Sequence, residues 1–142
     1  MKITESNVAH QIAKAIHTDL GNIYFFNHIA VIELNEGVHI EVENSNMIID
    51  ELINYFGNSR PFGIVANRVY SYSVNLMDVN HFRSQVKNLS SYAVVGHNAA
   101  SLMNAEIENN FCKREKINYD NIYEALDKVY SHVKTSILTS LN

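Results

Sequence analysis

A group of polar and aromatic side chains near the middle of the chain has the residue types that could bind a ligand. An apolar run over residues 62–66 is followed by Asn67, Arg68, Tyr70, Ser71, Tyr72 and Ser73. An arginine guanidinium can hold a phosphate or carboxylate through two parallel hydrogen bonds, and hydroxyls with the N–H groups of a following helix can complete an anion site. The sequence therefore predicts a binding site over residues 67–75. The alternative is a solvated loop whose serine and asparagine side chains satisfy the turn backbone.

Two more polar residues, His97 and Asn98, follow the next apolar run, residues 92–96. The carboxyl ends of parallel strands meet at the same edge of a sheet, so we expect both residues to lie beside Arg68. A histidine in that position can titrate near neutral pH, orient a ligand or act as a base. An asparagine there can equally serve as the N-cap of the following helix. In its sharpest form, the prediction is one shared cleft formed by Asn67, Arg68, Ser71, Ser73, His97 and Asn98.

The chain lacks the sequence patterns of the common catalytic and metal sites. None of its seven histidines forms an i, i+4 pair, and no cysteine or carboxylate cluster accompanies them, so we expect no metal. The five glycines are scattered singly and make no phosphate-binding loop, and there is no Gly-x-Ser-x-Gly nucleophile motif. Cys112 is the only cysteine, which excludes an intramolecular disulfide. A non-enzymatic protein without a cofactor is the resulting expectation.

Composition and charge argue against two further classes of protein. The 142 residues are 46% hydrophobic and carry 15 acidic against 11 basic side chains, a net charge of −4. This composition is typical of one globular domain, here residues 1–142. The longest basic cluster is Lys113-Arg114, so nucleic acid is not an expected partner. There is neither a signal-peptide pattern nor an apolar run long enough to cross a membrane, and we expect a cytoplasmic protein.

The periodicity of apolar residues predicts the elements that would position the site. The β-rich segments 22–26 and 29–34 are separated by Asn27-His28, a hairpin signal, and Glu33 is turned toward one face. A helix is predicted over 46–56, with Asn44 or Ser45 as its cap and Gly57 as its end. Two strands and two helices are predicted to alternate after it: a strand over 62–66, a helix over 76–89, a strand over 92–96 and a helix over 99–112. A short edge strand over 117–119 and a helix that follows Asn121 complete the order.

The spacing of Val8, Ile12 and Ile16 by four suits an extra helix in the first fifteen residues, and the same region could equally feed an early strand. Strands that alternate with single helices are typical of a parallel sheet covered by helices. The whole order therefore predicts an α/β protein with a mixed, largely parallel sheet, an N-terminal β-hairpin and about four helices.

Three local patterns resemble one known group of proteins. The segment NEGVHI over residues 35–40, the strand over 62–66 that runs into a polar turn and a helix, and the segment INYDNIYEAL over 117–126 resemble the SpoIIAA-like (STAS) small domains. The resemblance covers roughly residues 20–133. In one branch of that group, a serine in the turn after the same strand is phosphorylated and so switches partner binding. Ser71 and Ser73 stand at that position here, without the preceding Asp and following Gly of that branch.

The resemblance implies a bacterial, non-enzymatic binding or regulatory domain that acts through protein–protein contact at the turn 67–75 and the strand end 97–98. Tyr70 and Tyr72 are two residues apart in an extended turn, so we expect them to point the same way and to mark a surface for a protein partner or a second copy. The alternative is a carrier of a nucleotide, another small anion or a lipid-like ligand. A third interpretation is an enzyme that uses His97 as a base.

Overall fold

A six-stranded mixed sheet forms the centre of the computed structural model, which describes residues 1–75, 79–96 and 118–140. The strands of this sheet are β1 Lys14–Thr18, β2 Gly21–Phe25, β3 Ile29–Leu34, β5 Phe62–Asn67, β7 Leu89–Val95 and β8 Asn118–Tyr119, in the spatial order β1-β2-β3-β5-β7-β8. β1, β2 and β3 are antiparallel neighbours, and the pairs β3–β5, β5–β7 and β7–β8 are parallel. The expected mixed α/β architecture with a mostly parallel sheet is therefore present.

A second, two-stranded parallel ribbon lies beside the sheet. It consists of β4 His39–Ile40 and β6 Ser73–Val74, and it pairs His39 with Ser73 and Ile40 with Val74. The sequence did not predict this ribbon, since two-residue strands carry no periodic signal. It joins the turn after β5 to the segment after β3.

Three α-helices lie within the described residues, namely α1 Val42–Phe56, α2 Val79–Gln85 and α3 Ile122–Ser140. This is fewer than the expected four or so, and the helix expected over 99–112 lies outside the described residues. The helix expected over 76–89 ends four residues early at Gln85, because Leu89 begins β7 instead.

The two faces of the sheet bury alternate residues of its strands, as the two-residue period of a strand requires. One face packs Ile32, Ile64 and Val94 against α1 and α2. The other packs Val31, Val65 and Val95 against α3 and the first residues of the chain. The central strands are thus covered on both sides, which explains why β3 and β5 are buried along their whole lengths.

Helix α1 begins four residues earlier than the sequence predicts, at Val42. Glu41 is its N-cap, and the Glu41 N–H donates a 2.9 Å hydrogen bond to Asn44 Oδ1. Asn44 and Ser45 therefore lie inside the first turns rather than at the cap. The end of the helix is as predicted: Gly57 has a φ of +79°, which favours glycine, and its N–H bonds to Ile53 O.

Helix α3 packs closely on β5, and Gly63 makes this approach sterically feasible. A Cβ at Gly63 would collide with the Val129 side chain. As predicted, Asn121 caps the helix, because its Oδ1 accepts the Tyr123 N–H at 2.8 Å and the Glu124 N–H at 3.4 Å.

The N-terminal residues do not form the extra helix that the sequence allows, and they lead into an early strand, the other alternative. They make two 3-10 turns, Ile3–Glu5 and Ala9–Gln11, before β1 begins at Lys14. The spacing of Val8, Ile12 and Ile16 is misleading, because Val8 and Ile12 pack on the α3 side of the sheet and Ile16 on the α1 side. The predicted hairpin of β2 and β3 is confirmed, and β1 extends it by one strand.

Candidate functional site

Arg68, the expected anion-binding residue, is buried beneath the turn that it was expected to present to solvent. Only 1% of its surface is exposed. Its guanidinium carbon lies 3.9 Å from the centre of the Tyr72 ring, and Nη1 donates a 3.2 Å hydrogen bond to Tyr72 O. Burial raises the pKa of the Tyr72 hydroxyl, and Arg68 opposes that shift. The arginine and the tyrosine four residues later therefore form an internal support for the turn.

Asn67, the last residue of β5, is also buried and joins a polar cluster that the sequence did not predict. Its Nδ2 donates to Glu33 Oε2 at 2.6 Å and to Met1 O at 2.9 Å. The same Glu33 oxygen accepts the Ile3 N–H at 2.7 Å. Burial raises the pKa of the Glu33 carboxyl. A signal existed in the sequence, since Glu33 is the only charged residue of an otherwise apolar strand.

The turn itself is held by backbone hydrogen bonds to the segment before α1. The Gly37 N–H donates to Ser71 O at 2.8 Å, and the Ser73 N–H donates to Val38 O at 2.9 Å. The Ser71 N–H donates to Glu36 Oε2 at 2.7 Å. These contacts tie the backbone of the turn to residues 36–38.

The side chains that remain accessible form a small patch, which we name the Tyr70 surface and define as Lys2, His39, Tyr70, Ser71 and Ser73. Tyr70 is 40% exposed, Ser71 is half-buried, and the other three residues are exposed. Ser73 Oγ lies 2.6 Å from His39 Nδ1. Lys2 Nζ lies 5.7 Å from the centre of the Tyr70 ring, and contact with Tyr70 raises the pKa of Lys2.

Two sequence-based expectations about this region are wrong. Tyr70 and Tyr72 do not form a common surface, because Tyr72 is only 7% exposed and lies on Arg68. The described members of the predicted cleft do not line one solvent-facing cavity either, since Asn67 and Arg68 are buried while Ser73 faces solvent. His97 and Asn98 lie outside the described residues.

A separate cavity of 390 Å³ lies at the opposite end of β3. It is lined by Val8, Gln11, Phe26, Asn27, His28, Ile29, Leu126, Asp127 and Tyr130. The His28 and Tyr130 rings are 6.1 Å apart between centres. Burial, aided by the charges of Arg60 and Lys134, lowers the pKa of His28 and so favours the neutral imidazole. Sequence patterns gave no sign of this cavity, because its wall combines the hairpin turn, a 3-10 turn and α3.

Two further features are absent from the described residues. No group of three or more histidine, cysteine, aspartate and glutamate side chains in that part of the chain is arranged to hold a metal ion. None of the helices described for residues 1–75, 79–96 and 118–140 has the length and apolar character needed to span a membrane.

Comparison with known proteins identifies the fold. No protein-family model matches the chain, and no curated protein matches it. The crystal structure of an uncharacterized protein of the DUF3478 family with a SpoIIAA-like fold, from Shewanella loihica PV-4, is similar, with a TM-score of 0.52 and 11% identity. The similarity covers 82% of this chain and 90% of that chain. The chain has a SpoIIAA-like fold, as the resemblance implied, and at this identity the similarity extends to the fold alone.

Proposed function

We propose that the protein is a non-enzymatic binding domain that recognises a partner protein through the Tyr70 surface. The observation that carries this proposal is the exposure of Tyr70, a large aromatic side chain, on a turn whose backbone is fixed. Tyrosine is enriched in protein interfaces because its rigid ring offers much contact area and its hydroxyl a hydrogen bond. A fixed turn also loses little conformational entropy when a partner binds.

The predicted site residues that are buried support the turn from inside rather than contact the partner. Arg68 and Tyr72 hold the turn from beneath, and Asn67 holds the end of β5. Asn67 is paired with Val95, two residues before His97 in the sequence, and we therefore include the strand end 97–98 as an expected neighbour of the contact surface.

A pair of matched substitutions tests the proposal. Tyr70 and Tyr130 have nearly equal exposure, 40% and 43%, but Tyr130 lies on α3 beside the separate cavity. The tagged full-length protein and its Tyr70→Ala and Tyr130→Ala variants are used to capture partners from the cells that make the protein. We expect Tyr70→Ala to lose a specific protein partner that the wild type and Tyr130→Ala both retain. Equal capture by all three proteins would refute the proposal.

A second candidate function is transport or storage of a small molecule, and the 390 Å³ cavity favours it. Its volume lies within the range of roughly 300–1,000 Å³ that is usual for ligand pockets. Phe26, Ile29 and Leu126 supply apolar walls, and His28 supplies a polar group. Native mass spectrometry of the purified protein tests this function. A small molecule that co-purifies in stoichiometric amount with the wild type, but not with Leu126→Trp, would support it, and an empty wild-type protein would count against it.

A further inference from the structure

The first residues of the chain lie across the carboxyl ends of β3 and β5 and are held there by side chains. Glu33 near the end of β3 accepts the Ile3 N–H, and Asn67 at the end of β5 donates to Met1 O. The Ile3 side chain is fully buried in the cluster on the α3 side of the sheet. The segment is therefore bound to the sheet edge in the way that a short peptide binds to a protein groove.

The polar contacts recognise the backbone of the bound segment rather than its side chains. One donor, Asn67 Nδ2, meets the carbonyl of the first residue, and one acceptor, Glu33 Oε2, meets the N–H two residues later. The 2.6 Å hydrogen bond between Asn67 and Glu33 fixes this donor and acceptor relative to each other. Such a clamp accepts any residue whose backbone is extended, and Lys2 has the extended values φ −72° and ψ 149°.

Selectivity comes from the side chains, which alternate between the interior and solvent. Ile3 enters an apolar pocket whose cluster includes Val31, Val65 and Ile122, whereas Lys2 is exposed and lies near Tyr70. An aliphatic side chain is thus required two residues after the carbonyl that Asn67 holds. The preceding position accepts a long polar side chain.

The clamp also has a hydrogen-bonding position that the bound segment leaves open. Asn67 is fully buried, yet its Oδ1 accepts no hydrogen bond from the described residues. Buried polar atoms are nearly always paired in folded proteins. A different segment with one more donor could use this oxygen, which indicates that the site is not restricted to the sequence now occupying it.

From this geometry we infer that Glu33, Asn67 and the pocket filled by Ile3 form a binding site for an extended peptide segment with an aliphatic residue, occupied here by the chain's own first residues. Occupation by the attached segment gives a high effective concentration, so a segment supplied by another molecule must compete with it. The contacts that hold the segment are made by Glu33, Asn67 and the interior, and Lys2 is the one residue of the segment that also belongs to the Tyr70 surface.

The test uses the full-length protein and a fluorescein-labelled peptide with the sequence of residues 1–8. The Ile3→Ser variant weakens the attached segment and so frees the site. We expect the peptide to bind this variant saturably and to bind the wild type at least about tenfold more weakly, since the wild-type segment competes. A control peptide carries the same isoleucine-to-serine change. Its affinity for the variant should be lower than that of the parent peptide by a factor of about ten or more, because burial of an isoleucine side chain is lost.

A second measurement covers the case in which Ile3→Ser does not fold. The isotope-labelled wild-type protein is titrated with excess unlabelled peptide, and the backbone amide resonances of its own Lys2 and Ile3, which the peptide displaces, are followed by NMR. Saturable shifts of these resonances with the parent peptide, but not with the control peptide, would support the site. No saturable binding in either experiment, or equal affinity for the two peptides, would overturn the inference.

Discussion

The side-chain amide of Asn67 lies 2.6 Å from the carboxylate of Glu33, and both residues are buried at the ends of adjacent parallel strands. This contact explains how a charged residue and a polar residue are tolerated where β3 and β5 meet. Each provides a hydrogen-bonding partner for the other and for the segment that covers them. The carboxyl edge of the sheet, where ligands often bind in α/β proteins, is therefore occupied by the chain itself.

The buried carboxyl of Glu33 should make stability depend on pH. Burial is the largest influence and raises its pKa, whereas the hydrogen bonds from Ile3 and Asn67 and the positive charges of Lys2 and the Met1 amino group favour the carboxylate. Because the folded pKa lies above the ordinary value of 4.5, the stability contributed by Glu33 is fully present below that pH. It is lost as the pH rises through the folded pKa.

We therefore predict that Glu33→Gln, which stays neutral, gains stability relative to the wild type as the pH rises from below 4.5 to neutrality. The gain should be about 1.4 kcal/mol for each unit by which folding raises the pKa. Urea unfolding of both proteins at a series of pH values measures it, with Asp50→Asn on the exposed side of α1 as the control. A difference between Glu33→Gln and the wild type that does not change with pH would contradict the prediction.

Arg68 is predicted to act on stability rather than by direct contact with a partner. Its stacked and hydrogen-bonded side chain is almost fully buried, so Arg68→Ala should lower the free energy of unfolding by about 2–4 kcal/mol. Arg60→Ala is the matched control, because Arg60 is only half-buried with its guanidinium carbon 5.1 Å from the Phe56 ring centre. Urea unfolding should show a loss below about 1 kcal/mol for this control. Equal losses in the two variants would show that the packing of Arg68 on Tyr72 is unimportant.

The close packing of α3 on β5 gives a prediction about Gly63. Gly63→Ala should lower the free energy of unfolding by about 1–3 kcal/mol, because the new methyl group collides with Val129. In a Val129→Ala background, which removes the severe clash and leaves the milder contact with Val133 Cγ2 at 3.1 Å, the additional loss should be smaller. Thermal or urea unfolding of the two single variants and the double variant measures this coupling. Strictly additive losses would mean that the helix approaches the strand less closely than described.

Ser73, rather than Ser71, is the predicted position of any phosphate on the turn. The Ser73 hydroxyl is accessible and contacts His39, whose protonated form could pair with a phosphate. Ser71 is half-buried, and its N–H bonds to the Glu36 carboxylate, which would repel a phosphate on the same residue. Tandem mass spectrometry of the protein isolated from its own cells locates the modification. A phosphate on Ser71 alone would be the opposite of the expected result.

Local sequence patterns predicted most of the elements but not the contacts between distant segments. The hairpin of β2 and β3, the buried strand β5 and the cap of α3 at Asn121 follow from short-range signals, and all are present. The start of α1 was misplaced because Asn44 and Ser45 are good caps by residue type. The structure instead uses Asn44 as the side chain that reaches back to the Glu41 N–H.

The sequence predicted a candidate site over residues 67–75, and the exposure that it implied for Asn67, Arg68 and Tyr72 was wrong. Residue types alone made Arg68 a candidate for anion binding, because an arginine after a strand is usually solvent-accessible. Its burial depends on Tyr72, which folds back over it, and on the ribbon of β4 and β6. The ribbon pairs residues that are more than thirty positions apart in the sequence. The role of Glu33 likewise depends on Asn67 and Ile3, and sequence periodicity cannot pair residues across such distances.

The central claim is that the Tyr70 surface contacts a partner protein, and photo-crosslinking tests it most directly. A photo-reactive amino acid is introduced in the full-length protein at position 70, or at position 130 as the control of nearly equal exposure. Both proteins are irradiated in the cells that make them. The proposal predicts a discrete crosslinked species with another protein from position 70 and none from position 130. The absence of any crosslinked protein at position 70, or the same species from both positions, would contradict it.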